Sequence, residues 1–318
     1  MRLTICFAFA LLGGCDSTQE NAPTEVAPEW KLTWSDEFDG KEIDKTKWDR
    51  DTGNGFYNYD ANQWIGGWGN NELQYYTRDA DNAFLQNGSL HIKAIKESHD
   101  GFGYTSARLK TRSKSGAALF AQQYGKFEFR AKLPTGKGIW PALWMLPLND
   151  KYGPWASSGE IDVMEARGQE PNKVLGTLHF GSSWPFNAEA SSDYAFPKGT
   201  SIADFHVYAV EWEPGAIRWT VDGNLFATKS FWWSSSKVDG DKGVKPTKQA
   251  DLNPWPAPFD QPFYIVMNVA VGGKFLGNPD AKTIFPAEML VDYVRVYEKE
   301  GGCGPLKPRG EGKLPWEK

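Results

Sequence analysis

Short segments with a period of two dominate residues 30–298, and almost no stretch shows the 3.6-residue period of an amphipathic helix. In residues 127–133, apolar side chains alternate with charged ones, which predicts a half-buried strand. Residues 217–228 predict a hairpin, because Asp222-Gly223-Asn224 supplies the turn between two strand-like segments. Residues 263–271 are apolar on both phases, as expected of a central strand that is covered on two sides.

This pattern predicts an all-β fold, a sandwich of antiparallel sheets, because many strands follow one another without crossover helices. A body of about 270 residues is an ordinary size for one large sandwich. Residues 234–262, rich in Lys, Asp and Pro, interrupt the strands and predict a long insertion at a sheet edge. Residues 299–318 predict a flexible tail.

Residues 1–14 have the features of a signal peptide: Arg2 is followed by an apolar run over 3–12, which is too short to span a bilayer. The run ends in Leu12-Gly13-Gly14-Cys15, which resembles the lipobox of bacterial lipoproteins and predicts a lipid on Cys15. The polar residues 15–29 predict a tether. We therefore expect an exported protein, anchored by its lipid to a bacterial membrane or cell surface and otherwise periplasmic or secreted.

Cysteine usage limits how the body is stabilised. Of three cysteines, Cys6 lies in the signal, Cys15 is the expected lipid site and Cys303 alone remains. One thiol forms no internal disulfide, so the body depends on its core and on any bound metal.

Three acids lie close together in residues 158–165 (SGEIDVME). A regular strand would place Glu160 and Asp162 on one face and Glu165 on the other, but one bulge at Val163-Met164 would bring all three to the same face. Their mutual repulsion separates the pKa values of neighbouring carboxyls, which hydrolysis of a glycosidic bond can use. A retaining glycosidase uses two carboxyls about 5 to 5.5 Å apart. The alternative is a solvated acidic strand.

Five segments, in this order, resemble glycoside hydrolase family 16, and among its members the bacterial laminarinases, which are endo-acting β-1,3-glucanases. They are 68–77 (WGNNELQYYT), 140–146 (WPALWML), 159–165 (GEIDVME), 176–181 (GTLHFG) and 291–297 (VDYVRVY). The resemblance implies a catalytic domain over 30–298, a β-jelly-roll of two curved antiparallel sheets, a cleft on the concave face and retention of anomeric configuration. It also implies that Glu160 is the nucleophile, Asp162 its supporting acid and Glu165 the acid/base.

Several other residues are candidates for the cleft. Trp140 and Trp144 share a strand face, suited to stacking on sugar rings, although both could be core residues. His179 and Trp184 are candidates for a sugar contact and for a platform on the leaving-group side. By resemblance, Arg108 and Asn71 match positions that contact glucan, with ordinary strand-end roles as the alternative. Asn268, inside an apolar run, either faces the cleft or braces a neighbouring strand.

Asp292 falls on an apolar strand face and therefore needs a partner or a cation. The family resemblance implies a structural calcium ion, held by Glu37, the backbone oxygen of Gly88 and Asp292. The alternative is that Asp292 pairs with an arginine or with backbone amides.

A formal net charge of −5 with no basic stripe argues against a nucleic-acid partner and favours a neutral ligand. Taken with the family resemblance, which implies the activity, we expect a monomer that hydrolyses internal β-1,3 bonds of laminarin-like β-glucan and meets a membrane only through its N-terminal lipid. The alternatives are hydrolysis of mixed-linkage β-glucan, agarose or carrageenan, transglycosylation, and a non-catalytic β-glucan-binding module.

Overall fold

The computed structural model describes residues 30–58, 62–240 and 242–317. Strands account for 47% of the chain and helix for 2%, so the predicted all-β class is confirmed. The predicted signal peptide 1–14 and tether 15–29, including Cys15, lie outside the described residues. Among those that are described, no helix is long and apolar enough to cross a bilayer.

Most strands are short, and they are joined by turns and loops. In chain order they are β1 Trp30–Asp36, β2 Asp49–Arg50, β3 Gly55–Asn58, β4 Gln63–Gly66, β5 Gln74–Tyr76, β6 Ala83–Gln86, β7 Ser89–Ala94, β8 Tyr104–Ser106, β9 Arg108–Lys110, β10 Gly125–Lys132, β11 Ile139–Pro147, β12 Glu160–Glu165, β13 Lys173–Gly181, β14 Asn187–Ala195, β15 His206–Glu213, β16 Ala216–Val221, β17 Asn224–Lys229, β18 Val238–Asp239, β19 Lys242–Gly243, β20 Phe263–Val271 and β21 Ala287–Lys299. Single 3-10 turns occupy Gly67–Gly69 and Gln249–Asp251.

Two large antiparallel sheets form the body. The back sheet has the order β17-β16-β15-β10-β21-β7-β6, with β1 also paired to β21. The site sheet has the order β14-β13-β12-β11-β20-β9-β2 and contains the acidic strand β12 near its middle. The predicted hairpin at Asp222-Gly223-Asn224 is confirmed: β16 and β17 join through Asp222 and Gly223, whose φ angles of 51° and 78° suit a tight hairpin turn.

The core lies between the two sheets. Phe127, Phe129 and Trp212 of the back sheet are fully buried, and the Trp212 ring meets Phe263 of the site sheet at a centroid distance of 5.2 Å. All of β20 is buried, as its sequence predicts. Because alternate residues of β11 enter this core, the side chains between them are left on the outer face of the site sheet.

The C-terminal segment differs from the predicted flexible tail. β21 continues through Lys299, and the chain beyond it lies along the body. The Trp255 indole donates to the Lys307 carbonyl at 2.7 Å, the Gly310 amide donates to the Ser230 carbonyl at 2.7 Å, and Leu314 packs on the core. Composition suggested a free segment because Gly, Pro and Lys are common in tails, but these backbone contacts depend on surfaces formed by residues far away in sequence.

Candidate active site

A bulge in β12 sets the direction of the acidic side chains. On one side Leu143 faces Met164 and Trp144 faces Asp162, so Val163 has no partner on β11. The register with β13 shifts between Asp162 and Glu165 as well. The predicted bulge at Val163-Met164 is therefore confirmed.

The back sheet supports this bulge through the core. Trp219, fully buried on β16, donates its indole N–H to the backbone carbonyl of Asp162 at 2.8 Å. Gly176 lies opposite the bulge, and a Cβ there would lie 2.4 Å from the Trp219 ring. The indole reaches the bulge because position 176 carries no side chain.

Glu160, Asp162 and His179 converge on the site sheet. His179 faces Glu160 across β12 and β13, and its Nε2 lies 3.8 Å from Glu160 Oε1 and 3.5 Å from Asp162 Oδ2. These atoms all lie within 4.8 Å of one another. The structure thus brings together three residues that the sequence placed at the site.

Asp162 is the most deeply buried of the three acids. Burial raises its pKa well above the ordinary value, and the neighbouring charges of Glu160 and Glu165 raise it further. Its Oδ2 is buried and accepts no hydrogen bond. Both effects favour the protonated form of this carboxyl, which could donate a hydrogen bond to Glu160.

Glu165 has the electrostatics of a general acid. Its Oε1 accepts a hydrogen bond from the Trp140 indole at 3.0 Å. Burial raises the pKa of Glu165 and the Glu160 charge adds to this rise, while His179, the bond from Trp140 and Arg167 lower it, so that it reaches about 7. A carboxyl with this pKa can donate and recover a proton near neutral pH.

Glu160 has an indole partner that sequence reasoning missed. Trp155, five residues earlier and 41% exposed, donates from Nε1 to Glu160 Oε2 at 2.8 Å and meets the His179 ring at 5.5 Å. The tryptophan next to the acidic segment was the available signal. Its side-chain direction depends on loop conformation, which periodicity does not predict.

Trp140 and Trp144 share the outer face of β11, as predicted, and both are partly exposed rather than core residues. The Trp140 ring packs on Phe275 at 4.7 Å. The Trp144 indole donates to Asn268 Oδ1 at 2.7 Å. Asn268, almost fully buried, also donates to the Tyr76 hydroxyl at 3.0 Å, so it braces Trp144.

Arg108 lies beside this tryptophan face. Its guanidinium is 4.3 Å from the Trp68 ring centroid and 4.7 Å from that of Trp144, the geometry of a cation–π sandwich. The sequence analysis named Arg108 but not Trp68, whose buried indole nitrogen makes no hydrogen bond. Asn71 is exposed and has a φ of 61° in the turn that follows Trp68.

Trp184 is 62% exposed in the loop after β13. With Trp155 it lines a cavity of about 370 Å³, whose lining also includes Asn58, Gln63 and Ile65. An exposed indole close to Trp155, the partner of Glu160, fits the predicted platform for a sugar ring.

The proposed calcium ligands lie near one another on the back sheet. Asp36, which precedes Glu37, faces Val294, while Leu90, two residues after Gly88, faces Val291. The end of β1, next to Glu37, and the start of β7, next to Gly88, therefore lie on either side of Asp292 in β21. Two carboxylates and a carbonyl have the chemistry that calcium prefers.

Both carboxylates already have arginine partners. Arg295 donates to both oxygens of Glu37, at 3.1 and 2.8 Å, and Arg130 donates to Asp292 Oδ2 at 2.7 Å. The ion pair was the stated alternative for Asp292, and calcium would compete with it. Calcium binding at this position stays a prediction.

Comparisons with known proteins agree with this geometry. The profile described as glycosyl hydrolases family 16 matches residues 74–232. A glucan endo-1,3-beta-glucosidase A1 of Niallia circulans is 47% identical over 281 residues, which are 85% of this chain and 38% of that protein. A beta-glucanase of Rhodothermus marinus is 42% identical over 93% of this chain and 94% of its own length. The structure of the catalytic domain of an endo-1,3-beta-glucanase (laminarinase) from Thermotoga petrophila is 41% identical, with a TM-score of 0.71, and covers 86% of this chain and 100% of that one.

Proposed function

Because the chain belongs to glycosyl hydrolase family 16, we propose that it is a retaining endo-hydrolase of internal β-1,3-glucosidic bonds in laminarin-like β-glucan. The observation that carries this proposal is the arrangement of β12. Its bulge directs Glu160, Asp162 and Glu165 to one face, and an indole N–H holds each of the two glutamates.

In the first step, Glu160 attacks the anomeric carbon, and the bond from that carbon to the glycosidic oxygen breaks. Glu165, in its acid form, gives its proton to the departing oxygen, so the leaving sugar departs as an alcohol. The proton on buried Asp162 hydrogen-bonds to Glu160 and fixes the orientation of the attacking carboxylate. The product of this step is a covalent glycosyl-enzyme.

In the second step, water replaces the leaving sugar. Glu165, now ionised, removes a proton from this water, whose oxygen attacks the anomeric carbon and releases Glu160. Two inversions give net retention, and both glutamates return to their starting protonation states.

The side chains beside β12 suit a neutral glucan. Trp140, Trp144 and Trp184 present partly or largely exposed rings, which stack on the apolar faces of sugar rings. The Arg108 guanidinium, whose Nε pairs with Asp51 at 3.1 Å, stacks between two indoles beside these rings. A purely sugar-binding module would not need Glu165 with a pKa of about 7 beside a buried Asp162 whose pKa is raised.

The experiment is a product profile on laminarin, mixed-linkage β-glucan and agarose side by side, with the anomeric configuration of the first product followed by NMR. We expect internal cleavage of laminarin with retention. Faster cleavage of agarose or mixed-linkage glucan than of laminarin would show that the proposed substrate is wrong. A product of inverted configuration would show that Glu160 is not a nucleophile.

A variant tests the assigned nucleophile. Glu160→Gln keeps the shape of the side chain but removes the attacking charge, so turnover should fall by about 10⁴-fold. Binding of laminari-oligosaccharides, measured by calorimetry, should remain. Glu42→Gln, at an exposed position outside the site, is the matched control and should keep full activity.

We also propose export with a lipid on Cys15, on the support of the signal-like segment and the lipobox-like sequence. The test is metabolic labelling with a radioactive fatty acid in a bacterial host. Label should enter the wild-type protein and be absent from Cys15→Ala.

A further inference from the structure

We infer that Trp155 is a positioning residue for Glu160, and that the insertion 234–262 holds Trp155 in place. This inference rests on the proposed function, because it assigns a role to the surroundings of the proposed nucleophile. By this inference the insertion contributes to catalysis indirectly, through Trp155, and none of the three catalytic acids belongs to it.

The contact between Trp155 and Glu160 has a defined chemistry. An indole N–H only donates, and here it donates to Oε2 of Glu160 at 2.8 Å. The other oxygen, Oε1, lies 3.8 Å from His179 Nε2. With Oε2 held by Trp155, Oε1 is the oxygen presented for attack.

The Trp155 ring has few other constraints of its own. It is 41% exposed, and its ring contact is with His179, at a centroid distance of 5.5 Å and an interplanar angle of 46°. Its position therefore depends on the backbone of its loop, residues 154–158. The contacts that fix the backbone of this loop therefore also fix the position of the Trp155 indole.

Buried serines join the loop to the insertion. Ser157 Oγ donates to the Ser235 carbonyl at 3.0 Å, and Ser234 Oγ donates to the Ser157 carbonyl at 2.7 Å. Ser157 Oγ also lies 3.1 Å from Ser183 Oγ, in the loop that carries Trp184. All four serines are at most 4% exposed. Displacing the insertion would therefore take from buried Ser157 both the donor to its carbonyl and one acceptor of its hydroxyl, which is costly.

The insertion is itself fixed behind these serines. Asn253 donates to Ser234 Oγ at 2.8 Å, and the Asp251 carbonyl accepts from Ser235 Oγ at 2.9 Å. The Asp251 carboxylate pairs with Lys237 at 2.6 Å. The path from insertion to nucleophile thus consists of short hydrogen bonds, most of which are buried.

Trp155→Phe tests the first link, because it keeps an aromatic ring and removes only the donor. On laminarin we expect kcat to fall about tenfold, the cost of losing one hydrogen bond to a charged group, with KM changed less than twofold. The acid limb of the kcat/KM profile should move to higher pH, because the ionised carboxylate loses a donor. Asp162, Glu165 and His179 also face Glu160, and the variant leaves all three in place.

Trp34→Phe is the matched control. Trp34 is a partly buried tryptophan on β1 of the back sheet, stacked on Phe120, and its substitution should leave kcat and the pH profile unchanged. If Trp155→Phe keeps the wild-type kcat and the wild-type acid limb, Trp155 does not position Glu160.

Ser234→Ala tests the second link, and its control is Ser98→Ala, at an exposed serine in the segment between β7 and β8. We expect a smaller loss of kcat, about threefold, with the same direction of change in the acid limb. A fall in Tm with kcat and acid limb unchanged would show that the serines only stabilise the fold. Wild-type protein that cleaves none of the glucans tested would refute the proposed function, whereas an active wild type with unaffected variants would refute this inference alone.

Discussion

Two tryptophans separate the roles of the two glutamates at the level of single residues. Trp140 donates to Glu165 and Trp155 donates to Glu160, at 3.0 and 2.8 Å. Glu165 still has its pKa raised to about 7, because burial and the charge of Glu160 outweigh the opposing groups. A carboxyl that can give and take back a proton near pH 7 follows from these surroundings.

The pH profile should report Glu165. Its acid form is needed to protonate the leaving group, so kcat/KM should fall as pH rises through about 7. Trp140→Phe removes a bond that favours the ionised form, so the basic limb should move to higher pH. Because the ring also lines the cleft, KM should rise as well. Trp34→Phe serves as the control, and an unmoved basic limb in Trp140→Phe would contradict the assignment.

Sequence predicted the acids of this site better than their partners. The spacing of Glu160, Asp162 and Glu165 was sufficient, because strand alternation and one bulge fix their directions. Trp155 and Trp68 escaped prediction, since each side chain lies on a loop or turn whose backbone is set by distant residues. Asn268 was undecided in sequence, and only its two hydrogen-bond partners show that it braces Trp144.

At the level of elements, the bulge in β12 depends on both sheets. The spacing of the acids predicts the bulge, but it does not predict which residues of the opposite sheet hold the bulge in place. Trp219 lies 57 residues after Asp162 and reaches it from the opposite layer. Gly176 completes the arrangement by leaving room for the indole ring.

Removing this support should affect stability and catalysis together. Trp219→Phe leaves the buried carbonyl of Asp162 without its donor, which should lower the free energy of unfolding by about 1–3 kcal/mol. Without that bond the bulge loses a constraint, so kcat should also fall. Denaturant unfolding and kinetics on laminarin measure the two effects. Loss of stability with unchanged kcat would show that the bulge keeps its geometry without Trp219.

Added calcium tests whether a metal ion stabilises the place where β1, β7 and β21 meet. An ion held by Glu37, Gly88 and Asp292 would join the first and last strands and raise Tm, so chelated protein should gain several degrees when calcium is added. Asp292→Asn should abolish this gain. If added calcium leaves the Tm of the chelated wild-type protein unchanged, the arginine pairs at Glu37 and Asp292 close this junction without a metal.

For the whole molecule, the C-terminal segment is part of the folded body. Glu213, on β15, is buried and contacts Lys299 at the end of β21, Lys307 beyond it and Arg218 on β16. One carboxylate thus joins the back sheet to the final segment. Local composition gave no sign of this cluster, because its four members are brought together only by the sheet order.

The cluster predicts how stability depends on pH. Burial alone would raise the pKa of Glu213, but hydrogen bonds from Lys299, Lys307 and Arg218 outweigh burial and lower the pKa to about 2. A lowered pKa stabilises the fold above the unfolded value of about 4.5, and this contribution is lost as pH falls from there towards 2. The difference between the two values corresponds to about 3 kcal/mol at neutral pH.

Glu213→Gln tests this linkage between sheet and C-terminal segment. At pH 7 we expect the free energy of unfolding in urea to be lower than wild type by about 3 kcal/mol. The gap should narrow as pH falls below about 4.5, because the unfolded wild-type chain then binds a proton at Glu213, whereas the folded protein keeps its ionised carboxylate down to about pH 2. Glu298→Gln breaks only an exposed pair with Lys31 and should leave the free energy of unfolding almost unchanged at any pH. A gap for Glu213→Gln that stays constant from pH 7 to pH 3 would mean that packing, not the charge of Glu213, joins the C-terminal segment to the body.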